Sequence, residues 1–131
     1  MKQREQAELF LKKASQDEKL LKEVINSDQI VDDIFGFHCQ QAAEKLFKAL
    51  LSFKGIRFRK THDLRELMDL LEDHKNSVPE HLADIDRLTP FGTLFRYDLL
   101  DESVGFDREE AMKMVSELRK WVEDQIKMSK E

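Results

Sequence analysis

The stretch that most constrains this chain runs over residues 29 to 54, a helical pattern that is apolar on more than one side and closes at Gly55. On a wheel of about 100° per residue, Phe35, Cys39, Ala42, Leu46, Ala49, Leu50 and Phe53 share one face and form a core seam. Phe37, Phe47 and Leu51 point away from that seam, interleaved with Gln40 and Glu44. A helix with two apolar sides has to be covered twice, so a chain organised around it is a helical bundle. The second cover is either another helix of the same chain or a second copy, because both leave the same pattern.

The flanking segments supply partners for this central helix. Ala7, Phe10, Leu11, Ala14, Leu21, Val24 and Ile25 recur at helical spacing between residues 3 and 25, and Asn26-Ser27-Asp28 is a cluster of cap and turn residues. Thr61 or Asp63 can cap a third helix that carries Leu64, Leu67, Met68, Leu70 and Leu71 and ends near residues 74 to 76. Pro79 suits the first turn of a short fourth helix with Leu82, Ile85 and Leu88 on one stripe. Thr89-Pro90-Phe91-Gly92 is expected to interrupt the pattern, making residues 89 to 106 the least regular part. Asp107 followed by Glu110 has capping-box spacing and opens a last helix with Ala111, Met114, Val115, Leu118, Trp121, Val122 and Ile126 in one stripe. These are the elements of a single all-α domain over residues 1–131, without repeats, linkers or low-complexity runs.

Composition narrows the class. With 40% hydrophobic and 37% charged residues, two prolines and four glycines, the chain has the make-up of a globular helical protein. The N-terminal residues run into charged helical sequence without an apolar signal region, and no window approaches the ~18 apolar residues of a membrane span. A cytoplasmic location with no membrane partner is the expectation. Cys39 is the sole cysteine and lies on an apolar face, where it reads as a small buried hydrophobe.

The net charge of −5 argues against general nucleic-acid binding, yet it hides an asymmetry. Between residues 45 and 65 seven basic residues face one acid, Asp63, so this stretch is +6 and the remainder −11. His38, Gln41, Lys45 and Lys48 fall on one stripe of the central helix, either a phosphate-binding wall or a solvated face whose lysine stems cover apolar surface. No Glu-x-x-His, His-Glu-x-x-His or Cys-x-x-Cys pattern is present, and no glycine-rich phosphate loop. Neither metal nor cofactor is expected, and any nucleotide site has to be built from side chains between helices.

The order Phe37-His38-Cys39-Gln40-Gln41-Ala42-Ala43-Glu44-Lys45-Leu46-Phe47-Lys48-Ala49-Leu50-Leu51, followed by Lys60-Thr61-His62-Asp63-Leu64 and later by Phe95-Arg96-Tyr97, resembles the HEPN domain family. The resemblance implies an all-α, up-and-down bundle of about five helices. It also implies one of three roles: ribonuclease or toxin, nucleotide- or RNA-binding adaptor, or the partner of a minimal nucleotidyltransferase in a two-component toxin–antitoxin pair. HEPN proteins commonly pair through helices, which implies a homodimer. The ribonuclease members use an arginine followed after four to six residues by a histidine. Here Arg96 is followed by Tyr97-Asp98-Leu99-Leu100-Asp101-Glu102-Ser103, and no histidine lies beyond His81. Arg57 and His62 have the spacing but lie before the third helix, where the family does not place the motif.

With that pair broken, no catalytic residue is assigned and enzymatic activity is not the expectation. The expected function is nucleotide or RNA binding, as the partner of a nucleotidyltransferase, through Arg96, Tyr97, His62, Lys48, Lys45 and Gln41. The alternatives are a metal-independent ribonuclease with a noncanonical pair such as Arg96 with His62, and a purely structural dimerisation module.

Overall fold

The computed structural model describes residues 2 to 92 and 106 to 129. It contains α1 (Lys2–Val24), α2 (Asp32–Phe53), α3 (Leu64–Asp73) and α4 (Arg108–Ser129), with a run of 3₁₀ turns over Glu80–Gly92 between α3 and α4. The fold is all-α, with no strand among the described residues.

Local chemistry sets most of the boundaries. Asp63 caps α3 by accepting from the Arg65 N–H at 3.0 Å, while the Thr61 hydroxyl accepts from the Asp63 N–H at 3.1 Å, so both cap candidates are used. The Asp107 carboxylate accepts from the Glu110 N–H at 3.0 Å at the start of α4. Gly55 takes a φ of +70°, and the following Ile56 N–H reaches back to the Leu51 carbonyl at 2.9 Å, which closes α2. At its other end α2 starts at Asp32 rather than near residue 29. The intervening backbone is drawn around Arg108, whose guanidinium donates to the carbonyls of Val24, Ile25, Ser27 and Ile30.

The fourth element departs from expectation. Helical structure continues through Thr89-Pro90-Phe91-Gly92, and it is 3₁₀ throughout. Leu82, Ile85, Leu88 and Phe91 recur every third residue and all are buried, which is the repeat of a 3₁₀ helix rather than of an α-helix. Tertiary burial of that three-residue stripe therefore overrides the local signal for a break.

Helix α2 packs against α1, α3, the 3₁₀ segment and α4. Its seam residues Phe35, Cys39, Ala42, Leu46, Ala49 and Leu50 are wholly buried. Phe47 and Leu51 are also buried within the chain, and Phe37 is half-buried. The second apolar side is thus covered from inside: Gly36, Gln40, Glu44, Phe47 and Leu51 lie on one stripe, and that stripe meets Phe91, Gly92 and His62. Phe47 and Leu51 need no second copy to cover them.

The approach at Gly36 is close. A Cβ there would lie 2.3 Å from the Phe91 ring, and Phe91 packs edge-on to Phe106 at 5.1 Å, which in turn meets Phe35 at 6.2 Å. Gly36→Ala is expected to destabilise the fold by about 1–3 kcal/mol through overpacking. Urea unfolding measures this, and most of the loss should return in a Phe91→Leu background. An unchanged midpoint in the single variant would show that the ring yields freely.

Candidate functional site

Two polar clusters interrupt the apolar packing of α2, on different faces. The first lies against α1. Asp17, largely buried, accepts from Lys45 Nζ at 2.7 Å and pairs with His38 Nδ1 at 2.9 Å. One carboxylate on α1 thereby ties down two residues seven positions apart on α2.

The second cluster lies where the α2–α3 loop returns along α2. Glu44 is buried, and its two oxygens divide the work. Oε2 accepts from Lys48 Nζ at 2.9 Å, and Oε1 accepts from Gln40 Nε2 at 3.1 Å and from His62 Nδ1 at 2.8 Å. Gln40 Nε2 also donates to the His62 carbonyl at 2.9 Å, so ring and backbone of His62 are both held. Gln41 Nε2 extends the network by donating to Gln40 Oε1 at 2.8 Å. The Lys48 ammonium lies 5.8 Å from the centroid of the Phe58 ring.

Electrostatics here are decided by partners. Burial pushes the Glu44 carboxyl upward, but the hydrogen bonds from Lys48, His62 and Gln40 outweigh it and hold the group below its ordinary 4.5. An ionised carboxylate only accepts hydrogen bonds, so His62 Nδ1 carries the proton. The His62 side chain is 62% exposed although its carboxylate partner is only 6% exposed, and Nε2 has no partner among the described residues. The result is an imidazole oriented from beneath and presented outward. It can accept a proton or hydrogen bond when neutral and donate one to an anion when charged. Cys39 is the opposite case: burial pushes its thiol up to about 12, which leaves it a packing residue.

The structure therefore brings together His62, Lys48 and Gln41 from the expected set, and joins to them Gln40 and Glu44. Lys45 is held in the Asp17 cluster instead, and Arg96 and Tyr97 lie outside the described residues. The stripe of His38, Gln41, Lys45 and Lys48 splits: both lysines are engaged by buried carboxylates. Arg57 and His62 are five residues apart in the α2–α3 connection and have different surroundings. Arg57 lines a cleft with Ser52, whereas His62 bonds Glu44, and eight residues of helix between Ser52 and Glu44 amount to roughly 12 Å. Gln40 and Glu44 were visible as an i, i+4 pair followed by Lys48 at a further i+4, but nothing local marked Glu44 as the partner of His62.

Gly92 and Phe106, the described residues on either side of 93–105, also converge here. A Cβ on Gly92 would lie 3.0 Å from the Gln40 side chain, and Phe106 meets Phe91, so the described chain stops and resumes at this same end of α2. Among the described residues there is no cluster of histidine, cysteine and carboxylate able to hold a metal ion, and no helix long and apolar enough to cross a membrane.

A family model described as HEPN domain matches residues 5–125. The chain belongs to the HEPN domain family. The match takes in most or all of each of the four α-helices and both polar clusters of this HEPN protein, and it supports a nucleotide- or RNA-related function in general. Comparison with curated proteins and with solved structures yields no match.

Proposed function

We propose that this HEPN protein binds the phosphate of a nucleotide or RNA at the His62 end of α2, and does so as the partner of a minimal nucleotidyltransferase in a two-component, toxin–antitoxin-like system. The observation that carries the phosphate reading is the outward-facing His62 imidazole, fixed by Glu44 and Gln40. Gln41 adds an amide beside it. Arg96, four residues beyond Gly92 in sequence, is the cation we assign to the same site. Tyr97 follows as the aromatic edge of the same site. Lys48 serves by fixing Glu44 and not by free charge, and Lys45 contributes to the α1–α2 contact. The protein acts in the cytoplasm, as one domain and as a homodimer. That dimer uses surfaces other than Phe47 and Leu51.

Filter binding with short RNA and with ATP, across a salt series, tests the phosphate reading. His62→Ala and Arg96→Ala are each expected to weaken binding about tenfold, with affinity falling as salt rises. Salt-insensitive binding, or full affinity in both variants, would refute it. Copurification of a nucleotidyltransferase from native lysate tests the partner, and sedimentation tests the dimer.

One observation favours a second reading. A carboxylate-oriented imidazole with a free Nε2 is also what proton transfer to or from a ribose hydroxyl requires, so a metal-independent ribonuclease using His62 with Arg96 is the alternative. RNA cleavage in chelator that disappears in His62→Ala would select it.

A further inference from the structure

The basic surplus between residues 45 and 65 resolves into engaged and free charges. Lys45 is paired with Asp17, Lys48 with Glu44, Arg59 with Glu66, and Arg65 with Asp86. Lys54, Arg57 and Lys60 have no acidic partner among the described residues, and they are spread along the α2–α3 connection. Lys60 is two residues from His62 in sequence, whereas Lys54 and Arg57 lie toward the α2 end of the connection.

At that end the loop frames an open cleft of about 390 Å³ against α1. This falls in the lower part of the range of small-molecule sites, roughly 300–1,000 Å³. Gln3 and Gln6 form one wall, from the first two turns of α1, and Ser52, Arg57 and Phe58 line the other. The exposed Arg57 guanidinium is the cation of the cleft. Neither glutamine amide has a hydrogen-bond partner among the described residues, so both retain donors and acceptors. Glu5, the acidic residue of the same helical turn, is not among the lining residues.

Two further features point to an anionic, hydrogen-bonding occupant. Ser52 is 6% exposed, lines the cleft, and its hydroxyl is buried with no hydrogen-bond partner among the described residues. A buried hydroxyl left unpaired is costly, and a ligand group or ordered water removes the cost. Gln3 and Gln6 belong to the first two turns of α1, so the cleft lies beside the positive end of a 23-residue helix. The opposing negative end of α2 is blunted, because the Leu50, Leu51 and Ser52 carbonyls already accept from the Lys54, Ile56 and Gly55 N–H groups.

We propose that this cleft is a second ligand site, for a phosphomonoester whose phosphate is held by Arg57 and the first turn of α1, and whose organic part lies along Phe58 within reach of the Gln3 and Gln6 amides. It is separate from the His62 cluster, and the two stand or fall independently. The phosphomonoester is either a free nucleoside monophosphate or the 5′-phosphate end of an RNA.

Isotope-labelled full-length protein, titrated with inorganic phosphate, with AMP, and with one short RNA in 5′-phosphorylated and 5′-hydroxyl forms, tests this by amide chemical shifts. Saturable shifts at Gln3, Gln6, Ser52 and Arg57 are expected. Arg57→Ala should weaken AMP binding at least tenfold, and His62→Ala should leave these shifts unchanged. Arg57 is exposed and unpaired, so its variant keeps the fold, and Ser52→Val provides an independent block of the cleft floor. AMP binding with equal affinity for both RNAs identifies a free nucleotide, and preference for the phosphorylated RNA identifies an RNA end. No saturable shift at these residues with any probe, shifts confined to Gln40, Gln41 and His62, or undiminished affinity in Arg57→Ala would overturn the proposal.

Discussion

Replacing Arg108 by alanine is expected to remove about 3 kcal/mol of stability, equivalent to roughly 10 °C in the unfolding midpoint. One guanidinium closes the α1–α2 connection. It donates to the Val24 and Ser27 carbonyls at 3.1 Å each, to those of Ile25 and Ile30, and to Asp32 Oδ1 at 2.8 Å, and it lies 4.9 Å from the centroid of the Phe35 ring. Its side chain is only 16% exposed, so water does not readily replace these bonds when the side chain is truncated. The lost packing on Phe35 adds to the lost hydrogen bonds. Arg108→Lys keeps the charge but cannot span a fan of acceptors with a single ammonium, and should recover less than half of the loss. Thermal unfolding followed by circular dichroism gives the comparison. A shift of only a degree or two in Arg108→Ala would mean that the connection holds itself together without the clamp.

Glu44→Ala is expected to cost about 3–5 kcal/mol, because it leaves the buried Lys48 ammonium without its counter-charge. Lys48 and Glu44 side chains are 10% and 6% exposed, and solvent screening gives little relief. Replacing both members, with Glu44→Leu and Lys48→Met, should restore much of the stability while freeing His62, since a buried ion pair is often matched by apolar side chains of similar volume. Phosphate or RNA affinity in that double variant then separates the stabilising role of Glu44 from its orienting role: a folded protein with weakened binding is the expected result.

The same group sets an acid limit. The folded-state carboxyl lies below its ordinary 4.5, so the unfolded chain takes up the proton first as pH falls. Its stabilisation is complete above about pH 4.5 and is lost as pH drops below that through the folded value. Urea midpoints measured between neutral and strongly acidic pH should fall in that window in the wild type and less steeply in Glu44→Gln. Parallel curves would assign the acid limit to other carboxylates.

Much of the architecture was legible from local chemistry. The caps at Asp63 and Asp107, the left-handed Gly55 and the buried seam of α2 each depend on a few neighbouring residues, and each was found where the pattern put it. The 3₁₀ run was partly legible too: Leu82, Ile85, Leu88 and Phe91 are three apart, but the Thr89-Pro90-Phe91-Gly92 signal masked the continuation. His62 and Lys48 were identified as candidates from residue type and family resemblance, without their partner.

The sequence by itself determined an all-α HEPN bundle around a doubly covered central helix, because periodicity and capping act over one or two turns. Only the tertiary structure decided which charges remain free. Glu44 meets His62 across 18 residues, Asp17 meets His38 across 21 and Lys45 across 28, and Arg108 reaches the α1–α2 connection across as many as 84. An ion pair forms wherever packing brings opposite charges together out of water, so its existence depends on the docking of helices and leaves no periodic trace. Identical lysines on one helical stripe thus became buried structural partners, while three cations on the following loop stayed available for a ligand.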